Sequence, residues 1–165
     1  MAITEHTIND ALAAVLSETR SLWRAEGVVR AENIEIIKGG AKRPDILVDE
    51  TTVSPVVIET EVMPAASVET DAIQRLGAQV LPSGRPILSS LAVRLPSRLR
   101  DRSGLSLKQE LATSPDFEMA LYTGESPDTY VRWPRSGWLH GNAVDMSILV
   151  QSASVPPAVV EKAAD

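Results

Sequence analysis

A single stretch, RPDILVDETTVSPVVIETE from Arg43 to Glu61, constrains this chain more than any other. It holds two short apolar runs rich in β-branched residues, DILV and VVIETEV, separated by a turn-like DETTVSP. Runs of this length and composition read as strands joined by a connection. Successive side chains of a strand alternate faces, so Glu59 and Glu61 point the same way, roughly 6 to 7 Å apart. If the runs pair antiparallel with Val48 opposite Val56, Asp45 falls opposite Glu59. Sliding the register by two residues puts Asp45 opposite Glu61, so three carboxylates approach one another in either pairing.

Like charges facing each other across strands are destabilising, and something must offset them. A hard divalent cation such as Mg²⁺ does so, taking one or two carboxylates together with water and phosphate oxygens. Such an ion polarises a phosphodiester and lowers the pKa of an attacking water. The same alternation also suits a half-exposed strand in which Val56, Ile58, Thr60 and Val62 are buried while Glu59 and Glu61 are solvated alternates.

The spacing of Pro44-Asp45 and Glu59-Thr60-Glu61 resembles the PD-(D/E)XK nuclease superfamily, whose motif is a Pro-Asp, a variable gap, then Asp or Glu, any residue, and Lys. The departure is Glu61 in place of the lysine, an acidic variant carried by some restriction endonucleases of that superfamily. The resemblance implies an α/β fold with a restriction-endonuclease-like core, a mixed β-sheet flanked by helices in the order α-β-β-β-α-β. It implies a metal-dependent nuclease that hydrolyses DNA phosphodiesters and commonly works as a homodimer. Asp45 and Glu59, with the Thr60 carbonyl, would hold Mg²⁺ or Mn²⁺, and Glu61 would orient or deprotonate the attacking water. Lys38 or Lys42 would supply the positive charge that the motif lacks. The alternative is a catalytically inactive nuclease-like domain that serves as a binding or interaction module in a larger protein.

With 165 residues the chain suffices for one domain, expected over residues 1–153, with 154–165 as a C-terminal tail or linker to further domains or subunits. It contains no cysteine, which removes disulfides, thiolate metal sites and cysteine nucleophiles. Aromatic residues are so few that the core must rest on aliphatics. No apolar run is long enough to span a bilayer, and MAITEHTIND lacks the signature of a secretory signal, so the cytoplasm is the default compartment. A net charge of −6 counts against a general grip on nucleic acid. Basic residues nevertheless gather at Arg94, Arg98, Arg100, Arg102 and Lys108, a run that reads either as a solvated face or as a phosphate track beside the acidic cluster.

Along the chain, Ile8, Leu12, Val15, Leu16, Leu22 and Trp23 recur at helical spacing and predict a helix over 8–26, with Thr7 and Asp10 as its N-cap arrangement. Residues 28–37 read as a first strand, and 38–42 as a glycine-bearing turn. A second helix is expected over 68–79, capped by Ser67, with Asp71 and Arg75 as an i,i+4 pair; the nuclease resemblance implies a polar residue on this helix turned to the site, for which Gln74 and Gln79 are available, while a solvent-facing amide is the plainer reading of Gln74. The run 86–96 reads as a strand parallel to the motif strand, since the helix between them makes a crossover. A short helix over 105–113, strands at 117–124 and 129–133, and a last helix over 142–152 with Val144, Ile148 and Leu149 inward complete the chain. Trp133, Trp138 and His140 cluster before that helix as packing residues or a surface for stacking on a base. A serine hydrolase lacks support, because no Gly-x-Ser-x-Gly occurs.

Overall fold

The alternation within VVIETEV decides the centre of the molecule. In the computed structural model, which describes residues 4–18, 29–31, 44–49, 55–63, 67–78, 80–81 and 84–153, this run forms the strand β3, Val56–Val62. Val56, Ile58 and Val62 enter the larger core, while Val57 packs on the opposite face with Leu47, Leu81 and Ile87. Both faces are therefore covered, and Glu59 and Glu61 lie on the second one with Val57.

Around β3 the chain lays down one seven-stranded sheet in the path β1-β2-β3-β4-β5-β6. β1 is Val29–Ala31 and β2 is Ile46–Val48; β2 pairs antiparallel with both β1 and β3, and Val48 faces Val56 as the alternation requires. Helix α2, Val68–Arg75, then carries the chain over to β4, Ser89–Leu95, which runs parallel to β3 along its whole length. β5, Phe117–Thr123, is antiparallel to β4, and its outer edge is divided between β6, Val131–Trp133, and β7, Leu139–Gly141. The expected strand at 129–133 is present in shortened form, and β7 is an element the sequence pattern did not reveal. Three residues are too few to show an alternation.

Helices α1, Glu5–Glu18, α3, Gly104–Thr113, and α4, Ala143–Ala153, pack on one face, where Leu12, Leu16, Leu107, Leu111, Met146 and Leu149 close over Ile58, Leu91 and Met119. This core is aliphatic apart from Phe117, as the composition requires. Among the described helices only α2 occupies the other face, setting Val68, Ala72 and Leu76 on Ala92, Ala120 and Tyr122. Two alanines in adjacent strands let α2 approach closely, which brings Arg75 against the sheet. The architecture is thus α/β, with a mixed sheet and helices on both sides. No helix among the described residues is long and apolar enough to cross a membrane.

Several local expectations need correction. Helix α1 begins before Thr7, and the side chain of Thr4 accepts the Thr7 amide, so Thr4 and not Thr7 occupies the capping position. The remainder of the predicted 8–26 helix, most of 28–37 and the turn at 38–42 lie outside the described residues. Helix α2 ends earlier than predicted, at Arg75, and just beyond it Gly77 turns the chain with φ +68°, where a Cβ would meet the Glu125 carbonyl oxygen. In α4, Leu149 is buried as expected, but Val144 and Ile148 are exposed, and Met146 and Val150 are buried in their place. The start of α4 explains the rotation. Asn142 Oδ1 accepts the Val144 amide at 2.9 Å while Asp145 Oδ2 accepts the Asn142 amide at 2.9 Å, a reciprocal cap that sets the helix phase.

The close seat of α2 gives a first prediction. Ala92→Leu places a branched side chain under the helix and should destabilise the fold by about 1–3 kcal/mol. Chemical denaturation reads this directly, and an unchanged midpoint would contradict the packing described here.

Candidate functional site

Ordinary pairing between β2 and β3 stops at Ile46 and Ile58. One residue further, the same register sets Asp45 against Glu59, the juxtaposition that the sequence predicts. The Asp45 side chain continues where the backbone ladder ends, with Oδ2 accepting the Thr60 amide at 2.9 Å. Thr60 itself points through to the other face, where its hydroxyl donates to Oδ1 of the buried Asn9 on α1. A continuous polar chain thus runs from α1 through β3 to Asp45, in a region otherwise lined by Ile8, Leu12 and Val62.

Glu59 sits under α2 with only 3% of its surface exposed, and Arg75, 4% exposed, places Nε 2.6 Å from its Oε1. Burial is the largest influence on this carboxyl, and together with the charge of Asp45 it pushes the Glu59 pKa up to about 8. The Arg75 guanidinium pulls the other way and offsets this in part. The nearby Asp45 thus favours a protonated Glu59 beside one guanidinium. The repulsion anticipated from the sequence is answered by that proton and that cation.

Glu61 does not join the pair. Its oxygens accept the Ser67 amide at 3.1 Å and the Ser67 hydroxyl at 2.9 Å, at the entry to α2. Ser67 was expected to cap the helix, yet its side chain makes no capping bond because Glu61 holds it. The structure therefore brings Asp45, Glu59 and the Thr60 backbone together and sets Glu61 at the rim. Among the described residues no group of three His, Cys, Asp or Glu side chains is arranged to hold a metal ion.

Two residues of this site escaped the sequence reading. Gln74 is exposed, as the plainer reading of a solvent-facing helix amide has it, and Gln79 lies outside the described residues, while the side chain that reaches Glu59 is Arg75. Its signal was there: Val68, Ala72, Arg75 and Leu76 form one helical stripe, and an arginine in an apolar stripe requires a buried acid. Asn9 likewise stands between Ile8 and Leu12 on the buried side of α1. The basic strip is not a continuous track. Arg98 is held by Asp116, Glu110 and Ser114, Arg100 reaches Glu5 and the Val62 carbonyl, and Arg102 lies 3.7 Å from Glu110. These arginines hold the short 3₁₀ turn 97–101 to α1 and α3.

On the same face as Glu59 and Glu61, a polar row crosses the sheet in register from Glu61 to Arg94, Glu118 and His140. Trp138 lies beside this row, with Arg94 at 4.8 Å and Arg132 at 5.6 Å from its ring centroid. Trp138 packs against the α2 core and carries these two guanidiniums on its ring. His140 is exposed, and His6 is paired with Asp10 at 3.3 Å on α1, so the two histidines form no common site. Compared with family models, curated proteins and solved structures, the chain matches none.

The raised Glu59 pKa carries a pH dependence of definite sign. Folding holds a proton that the unfolded chain releases above its ordinary value of 4.5, so Glu59 stabilises the fold fully below that pH and progressively less up to about 8. The stability difference between wild type and Glu59→Gln should therefore fall as pH rises through this window and level off above it. Urea denaturation from about pH 4 to about pH 9 measures the difference, and a flat one would show that Glu59 is ionised in the fold.

Proposed function

We propose that this chain is a divalent-metal-dependent nuclease acting on DNA phosphodiesters, built on a restriction-endonuclease-like core. One observation carries the proposal: Asp45 and Glu59 stand side by side at the shared end of β2 and β3, in the register their spacing demands, crowded enough to retain a proton. Two further features support it. The order of elements from α1 to β4 is α-β-β-β-α-β, and β4 is parallel to β3. Glu61 lies on the same face two residues beyond Glu59, beside the entry to α2.

The donors present fit a hard cation. Asp45, Glu59 and the Thr60 carbonyl offer oxygen only, and a carboxyl pair that takes up a proton is an excess of negative charge that Mg²⁺ or Mn²⁺ would relieve. Bound there, the ion would polarise the phosphodiester and lower the pKa of the attacking water. The protein's own residues have separable tasks. Thr60 orients Asp45 through its amide, Arg75 fixes the Glu59 carboxyl, and Glu61 is the base available at the rim to take a proton from water.

A second reading is favoured by a specific contact. Arg75 already places a positive charge 2.6 Å from Glu59, as expected of a nuclease-like domain that has lost catalysis and serves as a binding or interaction module. Metal binding separates the two. Under the first reading, calorimetry shows Mn²⁺ uptake by the wild type, with affinity lowered at least about tenfold in Asp45→Ala, in line with loss of a charged ligand. The same variant should reduce Mg²⁺-dependent plasmid nicking to background. A folded wild type that takes up no Mn²⁺ and leaves plasmid intact would support the interaction module.

A further inference from the structure

We infer that Arg94 is the phosphate-binding residue of this site, holding a non-bridging oxygen of a DNA phosphodiester beside Glu61; the inference rests on the nuclease reading and deepens it. Arg94 stands directly opposite Glu61 in the parallel register of β3 and β4. Neighbouring strands lie about 5 Å apart, so the two side chains rise from the same patch of sheet. They nevertheless make no ion pair, because Glu61 is engaged by Ser67 and the Arg94 guanidinium turns toward Trp138.

The contacts of Arg94 leave its binding edge open. Nε donates to the Met63 thioether at 3.4 Å, a weak acceptor, and lies 3.9 Å from Glu118 Oε1. Its two terminal nitrogens have no hydrogen-bond acceptor among the described residues. Stacking over Trp138 holds the side chain in place without consuming those donors. A guanidinium presented in this way offers two parallel N–H groups to a pair of phosphate oxygens. The contrast with its neighbour is chemical. Arg132, over the same indole, gives Nε to the Tyr122 hydroxyl at 3.1 Å and another nitrogen to the Pro134 carbonyl, and it sits 3.5 Å from Glu69.

Electrostatics supply the need. Asp45, Glu61 and Glu118 leave this face rich in carboxylates, and a phosphodiester approaching them meets repulsion that the cation between Asp45 and Glu59 would relieve only at one end. Arg94 stands at the other end, next to the residue that replaces the motif's lysine. Its side chain is 25% exposed, enough to reach a ligand without moving the sheet.

The test uses a short fluorescein-labelled DNA duplex in Ca²⁺, with anisotropy followed against salt. Arg94→Gln should weaken binding about ten- to hundredfold, as expected for a lost charge-assisted hydrogen bond, and should lower the salt slope by about one phosphate contact. Arg94→Lys, which keeps the charge but not the stacked fork, should keep the slope and recover part of the affinity, and it carries the test if the glutamine variant does not fold. Both variants should take up Mn²⁺ as the wild type does. If Arg94→Gln binds the duplex with unchanged affinity and slope while Asp45→Ala abolishes metal-dependent nicking, Arg94 is not the phosphate ligand and the nuclease reading stands. A wild type that takes up no Mn²⁺ and binds no duplex overturns both.

Discussion

A glutamate under a helix is the constraint to which the rest of this site answers. Glu59 belongs to the central strand, points at α2 and has almost no access to water. An ionised carboxylate in that position is costly unless charge and hydrogen bonds surround it. The molecule responds on both sides: Arg75 reaches down from α2, and the charge of Asp45 at the end of β2 favours a proton on Glu59. Even the small residues Ala92 and Ala120 belong to this response, because a bulkier pair would lift Arg75 away from its partner.

That arrangement also explains why the two glutamates of ETE diverge although they share a face. Glu59 lies beneath the body of α2, whereas Glu61 emerges beside its first residue and is captured by Ser67. One is therefore a buried carboxyl with a raised pKa, and the other a half-buried side chain tied to the helix entry. Different environments for neighbouring acids are what acid–base chemistry requires. On the nuclease proposal, Glu59 would bind and Glu61 would accept a proton, with Arg94 opposite it to receive the phosphate.

Much of the fold was legible because strong patterns coincided. VVIETEV alternates, DILV precedes it at hairpin distance, and an amphipathic segment separates it from the next apolar run, so the register of Val48 with Val56 and the parallel pairing of β3 with β4 followed. Short elements such as β7 carry no period, and α4 was rotated by a cap formed between Asn142 and Asp145. At the site, sequence spacing located Asp45 and Glu59 but not Arg75 or Asn9. Both were masked by their neighbourhood: Arg75 suited a local pair with Asp71, and Asn9 stood in an apolar stripe with no visible partner. Their partners are 16 and 51 residues away, a separation that only the folded sheet spans.

The central proposal is that Asp45 and Glu59 form one oxygen site which a divalent cation would occupy in place of the proton on Glu59. Anomalous diffraction from crystals soaked in Mn²⁺ tests it most directly. The account predicts a peak between the two carboxyls in the wild type, absent in Asp45→Ala. Density showing Arg75 still seated on Glu59, with no manganese beside Asp45 at saturating metal, would contradict it.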